Sequence, residues 1–260
     1  MTIPSDRTSD YRAAGKTLAA DGFAKIDALL RADEVERYAA LYDRFLDRTI
    51  DAGHLRGDLG AQGDRDDDTV EAITQIMWPS HLIPVLLDAP AHRRCLALAR
   101  QWMGDDMAMD FDMLIDKAPG TEAATPWHQD ASYWPDLPDT RAVSFWIALD
   151  RATVDNGCMW FEAGSHKQGL QPHWQPNEDG GANECEGSEE AGVAVPLAPG
   201  SATAHLGMTK HYTRGNATDT HRRALIINFR PAAMIERERA QGFDHGLTVN
   251  ERTVRSGEAR

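Results

Sequence analysis

The chain has 260 residues, 42% hydrophobic and 26% charged, which is enough to bury a sizeable core and rules out a disordered or collagen-like polymer. Its formal net charge of −14 repels phosphate backbones and anionic lipid, so neither nucleic acid nor a membrane surface is an expected partner. No window approaches the roughly 18 apolar residues of a membrane span and no apolar leader run is present, so the expected compartment is the cytoplasm.

In chain order, residues 21–26 predict a short strand, and Asp33 is placed to cap the helix that follows. There Val35, Tyr38, Tyr42, Phe45 and Leu46 recur at three- and four-residue steps, which puts one apolar stripe on a larger body. Residues 51–68 hold Gly53, Gly57, Gly60, Gly63 and a run of aspartates, and predict a solvated loop; the ordered acidic pattern of a calcium loop is absent. A second helical zone at 83–103 carries Leu86, Leu87, Leu96, Leu98 and Trp102. After about residue 106 the period becomes alternating. Phe111, Met113, Ile115 and Lys117 share one side of a strand, and Val143, Phe145, Ile147 and Leu149 oppose Ser144, Trp146 and Ala148.

Strand-like runs at 107–117, 142–149, 158–162, 193–197, 201–205 and 224–230 are separated by turn signals such as Asn156-Gly157 and Pro199-Gly200. Helices first, then short strands without helices between them, predict a mainly β fold with flanking α-helices: an antiparallel sandwich or jelly roll. The expectation is one domain over 1–260, with its core at about 106–231. The polar segment 167–192 is either a lid or a plain excursion. Cys95, Cys158 and Cys185 are odd in number and widely spaced, which suits reduced structural thiols.

The candidate chemistry lies in Trp127-His128-Gln129-Asp130. About one H-x-D triplet is expected by chance in such a chain, so context must support it. On an extended segment, residues two apart point to one side, and an imidazole and a carboxylate can then reach one ion. His211 is a third donor, and between it and Arg222 a strand, a turn and a return strand fit. Two imidazoles and a carboxylate on one face of an octahedral ion leave three positions open, the donor set of non-haem Fe(II) oxygenases. Directed inward, the Arg222 guanidinium could hold the far end of a dicarboxylate through two parallel hydrogen bonds.

From about residue 21 to 231 the chain resembles the phytanoyl-CoA dioxygenase family of Fe(II)- and 2-oxoglutarate-dependent oxygenases. The resemblance is carried by Asp21-Gly22-Phe23, residues 114–120, Trp127-His128-Gln129-Asp130, residues 146–150, residues 155–159 and 164–169, and His211 with Arg222. It implies a double-stranded β-helix of the cupin-like jelly-roll type, with Fe(II) bound by His128, Asp130 and His211 and with 2-oxoglutarate and O2 as co-substrates. It also implies that Arg222 and Thr213 bind the C5 carboxylate of 2-oxoglutarate, with Lys117 and Trp146 lining the same pocket. Ser201 and Lys210 depart from the family's usual acidic and apolar residues at those places, and neither is a ligand. Related halogenases replace the metal carboxylate with a small residue; Asp130 is intact, so oxygenation of a substrate, releasing succinate and CO2, is the expected outcome.

Trp127, Tyr133 and Trp134 are either core or a wall of the substrate pocket, and His173 and Trp174 could meet substrate or solvent. His54, His81, His92, His221 and His245 are expected at the surface, and His166 in a structural turn. His205 is expected not to be a ligand, because its seventeen-residue spacing to Arg222 does not match the family. Two rivals share the fold: an oxygen-independent, metal-dependent cupin-like isomerase, and a non-catalytic ligand-binding jelly roll. The acidic charge without an evident Lys/Arg cluster disfavours a coenzyme A thioester and favours a small or medium metabolite.

Overall fold

The computed structural model describes residues 8–60, 71–175 and 182–248. Helix α1 (Thr8–Asp21) leads into strand β1 (Phe23–Ile26), helix α2 (Ala32–Leu46) and the antiparallel pair β2 (Arg56–Asp58) and β3 (Ile73–Met77). Helices α3 (Pro79–Leu82) and α4 (Pro90–Met103) precede β4 (Met107–Lys117) and β5 (Thr125–His128). Then come β6 (Val143–Ala148), β7 (Met159–Glu162), β8 (Gly192–Val195), β9 (Ala202–Leu206), β10 (His211–Thr213), β11 (Arg222–Pro231) and helix α5 (Ala232–Ala240).

The strands form two antiparallel sheets, ordered β1-β9-β6-β11-β4-β3-β2 and β5-β10-β7-β8, in the cupin-like jelly-roll manner that the alternation predicts. The middle strands β6 and β11 of the large sheet are buried on both faces, and their side chains divide by period two. Val143, Phe145 and Ile147 of β6 join Tyr42, Phe45 and Leu98 in a core beneath the helices, while Trp146 and Ala148 meet Met159 and Phe161 between the sheets. Each such aliphatic or aromatic side chain contributes roughly 1.5–3 kcal/mol by leaving water.

Several sequence expectations are corrected. The sheet takes three strands from before residue 106. Within the stretch read as a solvated loop, Arg56–Asp58 pairs with β3; the aspartate run at 64–68 lies outside the described residues. Asp33 does not cap α2. Arg31 occupies the N-cap, its backbone N–H donates to Glu34 Oε2 at 2.8 Å, and Asp33 instead accepts from Arg31 and Arg37. The second helix begins only at Pro90, because two prolines enclose a 3-10 turn, Pro84–Asp88, that leaves Val85 and Leu87 exposed. His92 is buried, with its Nε2 2.9 Å from Asp112 Oδ2, and the same carboxylate accepts from the Ser80 hydroxyl. All three cysteines are free and buried, and burial pushes the Cys158 and Cys185 thiols up to about 11.

The His245 side chain is also largely covered, 7% exposed, and not a surface group. It lies 3.2 Å from Asp110 Oδ2 and 2.9 Å from Glu238 Oε1, and Arg230 and Arg239 donate to the same two carboxylates. Burial opposes charging of the ring, yet Asp110 and Glu238 together raise its pKa above the ordinary histidine value. A raised folded value contributes stability that is complete below the unfolded value of about 6.5 and is lost as pH rises through the folded one. In urea unfolding, the advantage of wild type over His245→Gln is therefore expected to be largest in mild acid and to shrink as pH rises. An advantage that grows with pH would contradict this coupling.

Candidate metal centre

β5 and β10 are neighbours in the small sheet, and their register sets His128 directly opposite His211. Gln129 is extended (φ −119°), so its side chain leaves on the far side: it donates to Gly169 O and Met208 O and accepts from the Gln171 amide. Asp130 begins the 3-10 turn Asp130–Tyr133 and returns to the side of His128. The two imidazole rings lie 4.1 Å apart between centroids. Asp130 Oδ1 is 3.3 Å from His211 Nε2 and 3.7 Å from His128 Nε2. Neighbouring ligands of an octahedral ion at about 2.1 Å lie about 3 Å apart, so this spacing suits three ligands of one small ion.

Each imidazole is oriented from behind. His128 Nδ1 meets Pro126 O at 2.7 Å and His211 Nδ1 meets Thr209 O at 2.9 Å, which places the hydrogen on Nδ1 and leaves the Nε2 lone pair for a metal. Burial, with His211 beside it, lowers the His128 pKa to about 3, so its ring is neutral at physiological pH. For Asp130, burial favours the neutral acid, but His211 and His205 outweigh it and hold the carboxyl well below the usual range. Two imidazole nitrogens and one carboxylate oxygen form the donor set of a non-haem Fe(II) site.

The centre opens into a cavity of about 220 Å³ whose lining also includes Arg222, Thr213 and Trp146. Arg222 is fully buried at the start of β11, its guanidinium 5.1 Å from the Trp146 ring. Its Nε and Nη1, and Thr213 Oγ1, have no hydrogen-bond partner among the described residues. Burial pulls the Arg222 pKa down to about 10, with Asp116 opposing, so the group stays charged at neutral pH. A buried cation with free donors calls for an anion, and a carboxylate of 2-oxoglutarate fits it.

Other expected site residues are placed differently. Lys117 is buried but does not line the cavity: its ammonium donates to Ala123 O at 2.8 Å and Arg214 O at 2.6 Å. Gly157 (φ 86°) packs against this strut, and a Cβ there would meet Arg214 O at 2.5 Å. Tyr133 and Trp134 line the cavity, whereas Trp127 stacks on Tyr212 and lines a separate groove with Trp174. His173 does not line the cavity either; its Nε2 accepts the Gln129 amide at 3.1 Å. The flanks of 167–192 are tied down by this bond and by Cys185 N to Trp127 O, while 176–181 lie outside the described residues.

Two histidines given no site role by the sequence stand near the centre. His205, expected not to be a ligand, has its Nε2 3.1 Å from Asp130 Oδ2, and His245 lies in the cavity wall. Alternation along β9 puts His205 on the same side as Thr203, and that signal could have found it.

A family model for phytanoyl-CoA dioxygenase (PhyH) matches residues 18–224. The chain belongs to that family. Human peroxisomal phytanoyl-CoA dioxygenase is 32% identical over 129 residues, a stretch that takes in 46% of this chain and 38% of the human protein. Among solved structures, EvdO2 from Micromonospora carbonacea var. aurantiaca, complexed with 2-oxoglutarate, is 29% identical with a TM-score of 0.70, covering 89% of this chain and 92% of EvdO2. The epimerase SnoN, in complex with Fe3+, alpha-ketoglutarate and nogalamycin RO, shares the fold at 23% identity and a TM-score of 0.66, covering 86% of this chain and 84% of SnoN. The PhyH fold thus positions a His-Asp-His set that fits iron beside a buried arginine that fits 2-oxoglutarate. No helix among the described residues is long and apolar enough to cross a membrane.

Proposed function

We propose that this chain is an Fe(II)- and 2-oxoglutarate-dependent dioxygenase that hydroxylates an unactivated C–H bond of a small or medium metabolite and releases succinate and CO2. One observation carries this reading: His128, Asp130 and His211 share a cavity with a buried arginine whose Nε and Nη1 have no acceptor among the described residues. When bound, iron and 2-oxoglutarate supply the oxidising chemistry, dioxygen reduction coupled to decarboxylation of the oxo acid.

The chain supplies the rest. Nε2 of His128 and His211 and Oδ1 of Asp130 would hold the ion. Arg222 and Thr213 would hold the distal carboxylate, with the Trp146 ring against the guanidinium. Lys117 braces the 214 turn from behind. Met77, Phe111, Met113, Tyr133, Trp134 and Phe243 line much of the remaining wall, beside Gln75, Asp244 and His245, and this mainly apolar lining suits an apolar substrate without phosphate groups. Asp130 at the carboxylate position favours oxygenation over halogenation.

A metabolite screen with Fe(II) and 2-oxoglutarate tests this proposal. The expected result is substrate-stimulated succinate release, with one atom of isotopically labelled dioxygen in the product. Substrate turnover without oxygen, or without 2-oxoglutarate, would contradict it.

A further inference from the structure

Register places Asn228 of β11, Ser144 of β6 and His205 of β9 in one row across three adjacent strands of the large sheet. The row is buried throughout and faces Asp130. Its hydrogen bonds have a determined direction. Asn228 Nδ2 donates to Ser144 Oγ at 2.8 Å, so the Ser144 hydrogen is directed onward to Asp130 Oδ2, also at 2.8 Å. A carboxylate only accepts, so His205 Nε2, 3.1 Å from the same oxygen, carries the ring hydrogen and leaves Nδ1 bare; that atom has no partner among the described residues.

Both donors therefore fall on Oδ2, and the two nearest ligand imidazoles fall on Oδ1. His205 presents a hydrogen, not a lone pair, to the centre, which excludes it as a ligand in this arrangement although its ring centroid is only 4.4 Å from that of His211. Phe161 packs against the same ring, 5.4 Å between centroids.

We propose that His205, together with Ser144, is a positioning residue that occupies Oδ2 of Asp130 so that the carboxylate meets the metal through Oδ1 alone. A carboxylate bound through both oxygens would fill two coordination positions; with Oδ2 engaged by two buried donors, it fills one. This inference rests on the proposed iron centre, and it assigns a role to a histidine that is not itself a ligand.

The test reads metal binding, not turnover. Anaerobic Fe(II) titration in the presence of 2-oxoglutarate, followed by the visible charge-transfer absorption, gives an affinity for each variant, and Co(II) substitution reports the coordination by its spectrum. His205→Phe keeps bulk and removes the donor. It should weaken Fe(II) binding by about 10–100-fold, the usual effect of removing a partner behind a metal ligand, while the metal-free protein melts near wild type. His205→Gln, which can restore an N–H, should recover most of the affinity with a wild-type-like Co(II) spectrum. Ser144→Ala should weaken binding in the same direction, and it supplies the test if His205→Phe does not fold.

Wild-type affinity in both His205→Phe and Ser144→Ala overturns the inference. So does His205→Gln as weak as His205→Phe with one nitrogen ligand lost from the Co(II) spectrum, which would make His205 a ligand. Wild-type protein that binds no Fe(II) overturns the reading of the centre and this inference with it; wild-type binding with unaltered variants overturns this inference alone.

Discussion

Asp130→Ala and His128→Ala are each expected to yield a folded protein with no substrate-stimulated succinate formation. Each substitution leaves two of the three donors, and removing even a partner behind a metal ligand typically costs 10–100-fold in affinity, so loss of a ligand should exceed about a hundredfold. The fold should survive because neither residue belongs to the apolar clusters that join the sheets and helices. Asp130→Ala also strips the acceptor from His205 and Ser144, which costs about 1–3 kcal/mol for buried donors left unpaired. His128→Ala does not touch those bonds. The pair of variants therefore separates loss of the ion, common to both, from loss of the hydrogen-bond row, specific to Asp130. Wild-type succinate release in either variant would remove that residue from the centre.

Arg222→Leu should raise the 2-oxoglutarate requirement by at least about 30-fold, the equivalent of ~2 kcal/mol for truncating one side of a buried charged hydrogen-bonded pair. The Fe(II) requirement should change far less, since Arg222 is not among the three donors that could hold the ion. A second readout follows from the free donors. The guanidinium is desolvated, with Nε and Nη1 unmatched among the described residues, so leucine there should cost little stability without 2-oxoglutarate. Adding 2-oxoglutarate should then raise the melting temperature of wild type more than that of Arg222→Leu. An unchanged requirement and an equal thermal shift would move carboxylate recognition elsewhere.

Much of this was legible in the sequence because period two is a strong signal wherever a strand is buried on chemically different faces. Strand β4 was expected over the residues it occupies, and the division of Phe145 from Trp146 between two cores follows from alternation alone. The elements that escaped are short or weakly patterned. Helix α5 buries only Met234 and Glu238, and β2 is three half-buried residues whose strand character comes from pairing with β3 and not from composition. Tertiary burial also decided the histidines. His245 sits in polar sequence, yet α5 brings Glu238 to it and β4 brings Asp110. Lys117 was expected on the cavity side, but carbonyls at 123 and 214 capture its ammonium first, and those loops come together only in three dimensions. Spacing to Arg222 argues against His205 as a ligand, but that one-dimensional measure cannot register its place beside Ser144 in the next strand.

Anomalous diffraction at the iron edge, from crystals grown anaerobically with Fe(II) and 2-oxoglutarate, probes the metal centre most directly. The expected result is a single strong peak bounded by Nε2 of His128, Nε2 of His211 and Oδ1 of Asp130, with the distal carboxylate of 2-oxoglutarate on Arg222. No peak there, or a peak among the other buried acidic and histidine side chains, Asp110, Glu238 and His245, would contradict it.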